Sequence, residues 1–119
     1  GLVIIDGVAD LLNDINDLEK SNKVIHYLMK WTQDYNIHIV TVIHSNFYNN
    51  KATGHLGSFL EKKTETQITV TPTEDDPNVV VVDCKRSRGY SFDTFSFEIK
   101  SGLPIVCKMP DNINQFLHS

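Results

Sequence analysis

The chain has 119 residues, of which 40% are hydrophobic and 22% are charged, and its formal net charge is −4. This composition is that of a globular domain able to bury a core without disulfides. The slightly acidic balance excludes a broad nucleic-acid-coating surface but allows a local basic cluster. The cysteines, Cys84 and Cys107, fit no metal or redox spacing and favour a reducing, cytoplasmic compartment. No apolar run approaches the roughly 20 residues that span a bilayer, so no membrane partner is expected.

The first stretch predicts a strand that ends at a carboxylate. Leu2 to Ile5 are consecutive apolar residues, mostly β-branched, which predicts a parallel strand buried on both faces. Asp6 follows at the strand end, and Gly7 permits a sharp turn. Open α/β sheets bind ligands at this end of their strands, where a carboxylate can hold a hydrated Mg²⁺ ion. The alternative is an Asp that only caps a turn. Because the chain opens inside a core strand without an initiator Met, we expect a longer parent protein.

A helix and a second strand are predicted next. After a loop over residues 8–17 with one apolar anchor, the helix begins near Asp17 or Ser21 and ends near Tyr35, with Asn36 as its C-cap. Its apolar residues at helical spacing predict a buried stripe: Val24, Leu28, Trp31 and Tyr35, with Ile25 and Met29 beside them. Residues 37–43 predict a buried strand followed by His44. A strand–helix–strand unit makes the two strands parallel neighbours, so His44 lies on the same rim as Asp6.

The rest of the chain predicts antiparallel strands. Residues 47–53 form a polar loop, and Gly54 and Gly57 are expected to frame a helix over 58–63. Strands over 66–71 and 79–83 form a hairpin around a turn at 74–78. Further strands follow in the order of the chain, with Phe95, Phe97 and Ile99 on one face, a turn at residues 102–104, and a last strand over 105–107. Lys85 to Gly89 are expected to form a compact basic turn. The predicted fold class is α/β, with parallel strands and helices followed by antiparallel strands.

The order and spacing of four motifs resemble the second half of a RecA-like P-loop ATPase core. The motifs are Leu2–Asp6, residues 39–44, Gly54–Ser58 and Lys85–Gly89. The similarity is greatest to the RepA and DnaB branch of hexameric helicases, including primase-helicase proteins of mobile elements. It implies a three-layer core over residues 1–107 that lacks the P-loop, followed by a C-terminal tail over 108–119. The sequence of residues 111–119 predicts a loose or weakly helical end of this tail.

The resemblance also implies roles for individual residues. Asp6 resembles the Walker B aspartate, which holds Mg²⁺ beside the nucleotide phosphates. His44 occupies the sensor position, and Ser45 is an implied nucleotide contact. A third set, Lys85, Arg86 and Arg88, resembles the Lys-x-Arg element that reaches into the neighbouring subunit's nucleotide site. This element is one residue longer than usual, which leaves open which two residues fill it.

The loop from Ser45 to Gly57 lies where such motors carry DNA-facing loops. The implied nucleic-acid contacts are Asn46, Asn49, Asn50, Lys51 and His55. Single-stranded DNA and a hexamer of the longer protein are the implied partners, although the residues do not distinguish DNA from RNA. Gly54, Gly57 and Ser58 resemble the family's Arg-Gly-Ser element, from which Thr53 and His55 depart.

Two departures from the family limit what the chain can do alone. It has no Gly-x-x-x-x-Gly-Lys-Ser/Thr to cradle the β and γ phosphates, and the family's catalytic glutamate is also missing. ATP and Mg²⁺ are therefore expected as cofactors of the longer protein, with neither tightly bound here and no hydrolysis by this chain alone. In RecA-like sheets the missing P-loop strand lies between the strand that ends at His44 and the strand over residues 66–71. Its absence predicts a gap with open edges, and hence a dimer of the isolated chain or a rearranged strand order.

Two other functions remain open from the sequence. A non-catalytic nucleic-acid-binding or assembly module could retain the same fold. An isochorismatase-like α/β hydrolase also begins with a strand ending in Asp, but it needs a nucleophilic Cys at a strand end, and Cys84 lies within a strand pattern. Metal ligation by His44 and His55 is disfavoured because no Cys or carboxylate stands at ligand spacing from them.

Overall fold

The computed structural model describes residues 1–44 and 54–111 of the chain. It is a mixed α/β protein, as predicted, and divides into two compact units that span residues 1–64 and 65–119. The first unit contains a two-stranded parallel sheet and two α-helices, and the second contains a four-stranded antiparallel sheet. Across the described ranges, no helix is both long and apolar enough to cross a membrane.

The first unit is built on the predicted strand–helix–strand element. Strand β1 (Leu2–Asp6) pairs in parallel with β2 (His38–Val42), from Leu2 opposite His38 to Asp6 opposite Val42. Helix α1 (Leu18–Asp34) connects them. The parallel pairing confirms that the two strands are neighbours whose carboxyl ends share one rim.

The expectation that β1 is buried on both faces is wrong. Ile5 and Ile39 pack against the core that the helices of this unit cover. On the opposite face, Leu2 and Ile4 are 62% and 63% exposed. The apolar run correctly predicts a strand suited to burial on both sides, but the described residues of this unit cover only one side of the sheet. The predicted self-association of the chain stays a prediction.

Helix α1 begins and ends as predicted, but its buried stripe is rotated. The Asp17 carboxylate caps the helix by accepting the Lys20 backbone N–H at 2.9 Å. The C-cap is Tyr35 and not Asn36, but Asn36 follows it directly in the left-handed conformation, with φ of 50°. The buried residues are Ser21, Ile25 and Leu28. Ser21 tolerates burial because its hydroxyl donates to the Ile15 carbonyl at 3.4 Å.

Two aromatic residues of the predicted stripe lie outside it. Trp31 is 40% exposed and Tyr35 is 69% exposed, so both predictions of burial are wrong, and Met29 is exposed as well. A prediction from hydrophobicity alone places the centre of the buried stripe at these large side chains. The actual packing face is centred on smaller residues, because α1 packs against the second helix on that side.

The loop predicted over residues 8–17 contains a 3₁₀ turn, Val8–Leu11, whose Val8 side chain is fully buried. Helix α2 (Gly54–Lys63) begins four residues before the predicted start, so Gly54 and Gly57 lie within it rather than framing it. Its buried residues include Leu56 and Leu60. Gly54 takes a φ of +69°, which an L side chain rarely adopts, and its α-carbon faces the Ile15 carbonyl.

Replacing Gly54 with Ala is expected to destabilise the protein. A Cβ atom there would lie 2.7 Å from the Ile15 carbonyl oxygen, in a backbone conformation that Ala disfavours. We expect a loss of about 1–3 kcal/mol in the free energy of unfolding, measured by urea denaturation. The matched control is Gly89→Ala, whose Cβ would meet nothing nearer than the Ser87 Oγ at 4.0 Å. Equal losses in the two variants would contradict the packing at Gly54.

The second unit is an antiparallel sheet with strands in chain order: β3 (Thr66–Pro72), β4 (Val79–Ser87), β5 (Phe95–Lys100) and β6 (Leu103–Cys107). The β3–β4 hairpin is confirmed. The turn predicted at residues 102–104 lies instead at Ser101 and Gly102, whose φ values of 53° and 77° form a two-residue hairpin loop. Pro104 is therefore a strand residue. It is tolerated because β6 is at the edge of the sheet.

The two faces of this sheet differ in character. Phe95, Phe97 and Ile99 share one face, as predicted. On the other face Ser96 is fully buried, and its hydroxyl lies within hydrogen-bond distance of the Cys107 and Lys108 carbonyl oxygens, at 3.2 and 3.1 Å. The end of the predicted tail, residues 112–119, lies outside the described residues.

Candidate functional site

The carboxyl rim of the parallel pair carries Asp6 and His44. Asp6 is the last residue of β1 and lies opposite Val42 in the parallel pair. His44 follows Val42 by two residues. Exposure alternates from Ile39 to His44, with every second side chain turned outward. Val42 and His44 are exposed residues of this alternation. Asp6 lies opposite Val42 and is exposed as well, which indicates that the three side chains share one face. The structure therefore places the two predicted side chains at the same end of the sheet.

Asp6 presents a single exposed carboxylate at this rim. One carboxylate suits a hydrated Mg²⁺ ion, which keeps most of its waters and does not require a protein cage. Within residues 1–44 and 54–111, no group of three or more His, Cys, Asp or Glu side chains could hold a metal. Among the described residues, this rim therefore offers the Mg²⁺ ion that the resemblance implies one carboxylate, that of Asp6.

Two of the three neighbouring acidic side chains have local structural roles. The Asp14 carboxylate accepts the backbone N–H of Asn16 at 2.9 Å, and Asp17 caps α1. Asp10 is exposed in the 3₁₀ turn, where its backbone N–H donates to the Gly7 carbonyl at 3.1 Å. Asp6 is therefore distinguished from these three by its position at the end of β1.

Most of the implied nucleic-acid loop lies outside the described residues. This applies to the predicted contacts Ser45, Asn46, Asn49, Asn50 and Lys51. His55 is described, and it lies in the first turn of α2 rather than in a loop. It is exposed, and its ring centroid is 6.3 Å from that of Phe59, one helical turn later. The prediction of a loop residue is wrong at His55 because Gly54 begins the helix instead of breaking it.

The basic residues form the end of a strand, not a turn. Strand β4 continues through Ser87, which pairs with Thr66 of β3. Arg86 pairs with Gln67, and Cys84 pairs with Ile68, so Lys85 is the extra residue of a β-bulge. The run of polar residues before Gly89 is typical of a turn. Here the ladder continues because β3 provides partners along its whole length.

The bulge places one extra residue, Lys85, in the basic segment. The Ser87 hydroxyl lies 3.3 Å from that of Thr66, and the Arg88 backbone N–H donates to the Glu65 carbonyl at 2.9 Å, so hydrogen bonding to the segment that begins β3 continues one residue past the end of β4, where the chain bends at Arg88 and Gly89. Arg86 and Arg88 flank Ser87 in the sequence. Both are exposed, whereas Lys85 is half-buried. The geometry favours Arg86 and Arg88 as the pair that points outward together.

Sequence reasoning missed one exposed aromatic residue beside this element. The Ser87 hydroxyl accepts the Gly89 backbone N–H at 3.2 Å, which ends the strand. Tyr90 follows and is fully exposed. The available signal was an aromatic residue directly after Gly89, within a polar stretch that connects two strands.

The position of Cys84 does not support the hydrolase alternative. Cys84 lies within β4, opposite Ile68 in an antiparallel ladder, and three further strand residues follow it. It belongs to the second unit, whereas Asp6 ends a parallel strand of the first. Cys84 is therefore not a nucleophile at the end of a parallel strand.

Comparison of the chain with models of protein families finds no match, and comparison with curated proteins finds no match either.

Proposed function

We propose that this chain is the second half of a RecA-like P-loop ATPase core of the RepA and DnaB helicase type, with the phosphate-binding loop supplied by another segment of a longer protein. One observation carries the proposal. The parallel pair β1–β2 places Asp6 and His44 together on one carboxyl rim. This is where open α/β sheets bind their ligands.

The exposure of the parallel sheet supports the same proposal. Leu2 and Ile4 are apolar side chains on an exposed sheet face, and the two-stranded sheet leaves one edge of each strand open among the described residues. Parallel sheets are usually covered on both faces. A P-loop strand beside β2, and helices on the exposed face, would supply the missing neighbours.

The proposed roles follow from charge and position. Bound Mg²⁺ would neutralise negative charge on the phosphates. Asp6 would hold this ion through water at the end of β1. His44 would donate a hydrogen bond to the terminal phosphate, since its imidazole stands at the same rim. Arg86 and Arg88 would stabilise charge on the transferring phosphoryl group in a neighbouring subunit.

The partners of the longer protein are part of the same proposal. The segment from Ser45 to His55 would contact single-stranded DNA, with the amides and ammonium group of that loop as hydrogen-bond donors. A hexamer would bring the arginines of one subunit to the nucleotide of the next. The chain alone would provide half of each such site.

The chain by itself is expected to bind Mg²⁺·ATP weakly and to show no ATP hydrolysis. The physical reason is the missing phosphate cradle, since Asp6 alone cannot hold the nucleotide. Isothermal titration calorimetry should give a Kd above about 1 mM, equivalent to less than about 4 kcal/mol of binding free energy. Micromolar affinity for ATP would contradict the proposal that another segment supplies the cradle.

A further inference from the structure

Positive charge in the second unit is concentrated at one end of the β3–β4 hairpin. The chain has two arginines, and both lie here with Lys85, although the net charge of the whole chain is −4. The acidic residues Glu74, Asp75 and Asp76 are exposed at the opposite end, where the hairpin turns. Strand pairing separates the two ends by the length of the hairpin, because Thr66 pairs with Ser87 and Pro72 pairs with Val80. The hairpin therefore has a basic end and an acidic end.

The basic end is open on one side. Strand β5 pairs only with residues 79–82 of β4, so the last residues of β4 have β3 as their one strand neighbour among the described residues. Arg86 and Arg88 are both exposed and are separated by one residue, so their α-carbons are no more than about 7 Å apart. Two guanidinium groups can therefore contact successive anionic groups of an extended ligand.

Tyr90 adds a flat apolar surface beside these charges. It is fully exposed two residues after Arg88. Phe92 is also partly exposed, and its ring centroid lies 6.0 Å from that of Phe95. Two acidic residues lie near this stretch and limit its net charge. Glu65 is near because its backbone carbonyl accepts the Arg88 N–H, and Asp93 follows Tyr90 by three residues. An exposed aromatic ring beside two arginines is the combination that binds a nucleic-acid base together with its phosphates.

We propose that this basic–aromatic end (Lys85, Arg86, Arg88 and Tyr90) binds single-stranded nucleic acid. Arg86 and Arg88 contact backbone phosphates, and Tyr90 stacks on a base. A single strand fits better than a duplex, because its bases are free to stack on an exposed ring. An acidic protein surface would use the charges but would not need the ring. The site lies within the second unit and needs neither a nucleotide nor a neighbouring subunit. The proposed ATPase function uses the same two arginines on a nucleotide, whereas Tyr90 belongs to the nucleic-acid site alone, so the Tyr90 variants test this site separately from that function.

Fluorescence anisotropy of a labelled oligothymidylate of about 15 nucleotides, titrated with the 119-residue chain at low salt, tests the proposal. Tyr90→Ala should weaken binding about 5- to 100-fold, whereas Tyr90→Phe should bind like the wild type because it keeps the ring. The double variant R86A/R88A should weaken binding at least about 10-fold and make it less salt-dependent, since two phosphate contacts are lost. The matched control K100A/K108A removes two exposed lysines of the same unit and should bind nearly normally.

Three results would overturn the proposal. The first is absence of binding by the wild-type chain. The second is binding that none of these variants weakens, which would move the contact to another part of the chain. The third is binding that R86A/R88A weakens but Tyr90→Ala does not, which would indicate a general polyanion surface such as one for an acidic protein. If an oligouridylate of equal length ranks the variants in the same order of affinity, the result would extend the support to RNA. Backbone amide shifts of residues 86–90 on adding the oligonucleotide provide a second measurement, and unchanged shifts there would contradict the site.

Discussion

Replacing Asp6 with Asn is expected to abolish ATP turnover in a protein that joins this chain to its P-loop segment. The substitution keeps the side-chain volume but removes the charge that is proposed to hold the metal ion. Loss of a metal-holding carboxylate should cost several kcal/mol of transition-state stabilisation, so kcat should fall by at least about 100-fold. Because Asp6 is exposed, the free energy of unfolding should change by no more than about 0.5 kcal/mol. Steady-state kinetics and urea denaturation measure the two effects separately.

Asp10→Asn provides the matched control. Asp10 is also exposed and lies four residues later, but it belongs to the 3₁₀ turn and not to the end of β1. It should retain near-normal turnover. Equal losses in the two variants, or full activity of Asp6→Asn, would contradict the assignment of Asp6 as the metal-holding carboxylate.

Replacing both Arg86 and Arg88 with Ala is expected to lower kcat of the same longer protein by about 1,000-fold or more, with ATP binding retained. The guanidinium groups are proposed to act on a neighbouring subunit's phosphoryl group, where one arginine is worth about 10³–10⁵ in rate. Lys100→Ala, which removes a cation of the same unit that pairs with Glu98 at 3.0 Å, should have little effect.

Mixing the arginine double variant with Asp6→Asn should restore part of the activity. At some interfaces of a mixed ring, an intact Asp6 would meet intact arginines from the adjacent subunit. If the arginines had only a structural role, mixing the two variants would not restore ATP turnover. Mixed rings whose assembly is confirmed but whose activity does not recover would contradict the action of Arg86 and Arg88 in a neighbouring subunit.

Local sequence signals predicted much of the fold correctly. Asp17 before an apolar periodic stretch gave the start of α1, and Asn36 gave its end, because each residue has a specific hydrogen-bonding or conformational reason to be there. The two apolar runs around α1 predicted the parallel pair and hence the shared rim of Asp6 and His44. The acidic turn of residues 74–78 predicted the β3–β4 hairpin.

The errors arose where tertiary partners decide the outcome. Gly54 and Gly57 were expected to frame a helix over 58–63, but α2 starts at Gly54, which has a left-handed conformation and packs on Ile15. The polar stretch at Lys85 was taken as a turn, because the matching length of β3 and the bulge cannot be seen from one strand. The exposure of Trp31 depends on which side α2 packs, and periodicity alone does not contain that information.

The sequence encoded immediately upstream of Gly1 tests the central claim most directly. If this chain is the second half of a RecA-like core, a strand followed by Gly-x-x-x-x-Gly-Lys-Ser/Thr should occur within about 100 residues before Gly1, the length of the missing half-domain. That result would supply the phosphate cradle that Asp6 and His44 require. An upstream coding sequence without this motif, or one that begins at Gly1 itself, would contradict the account.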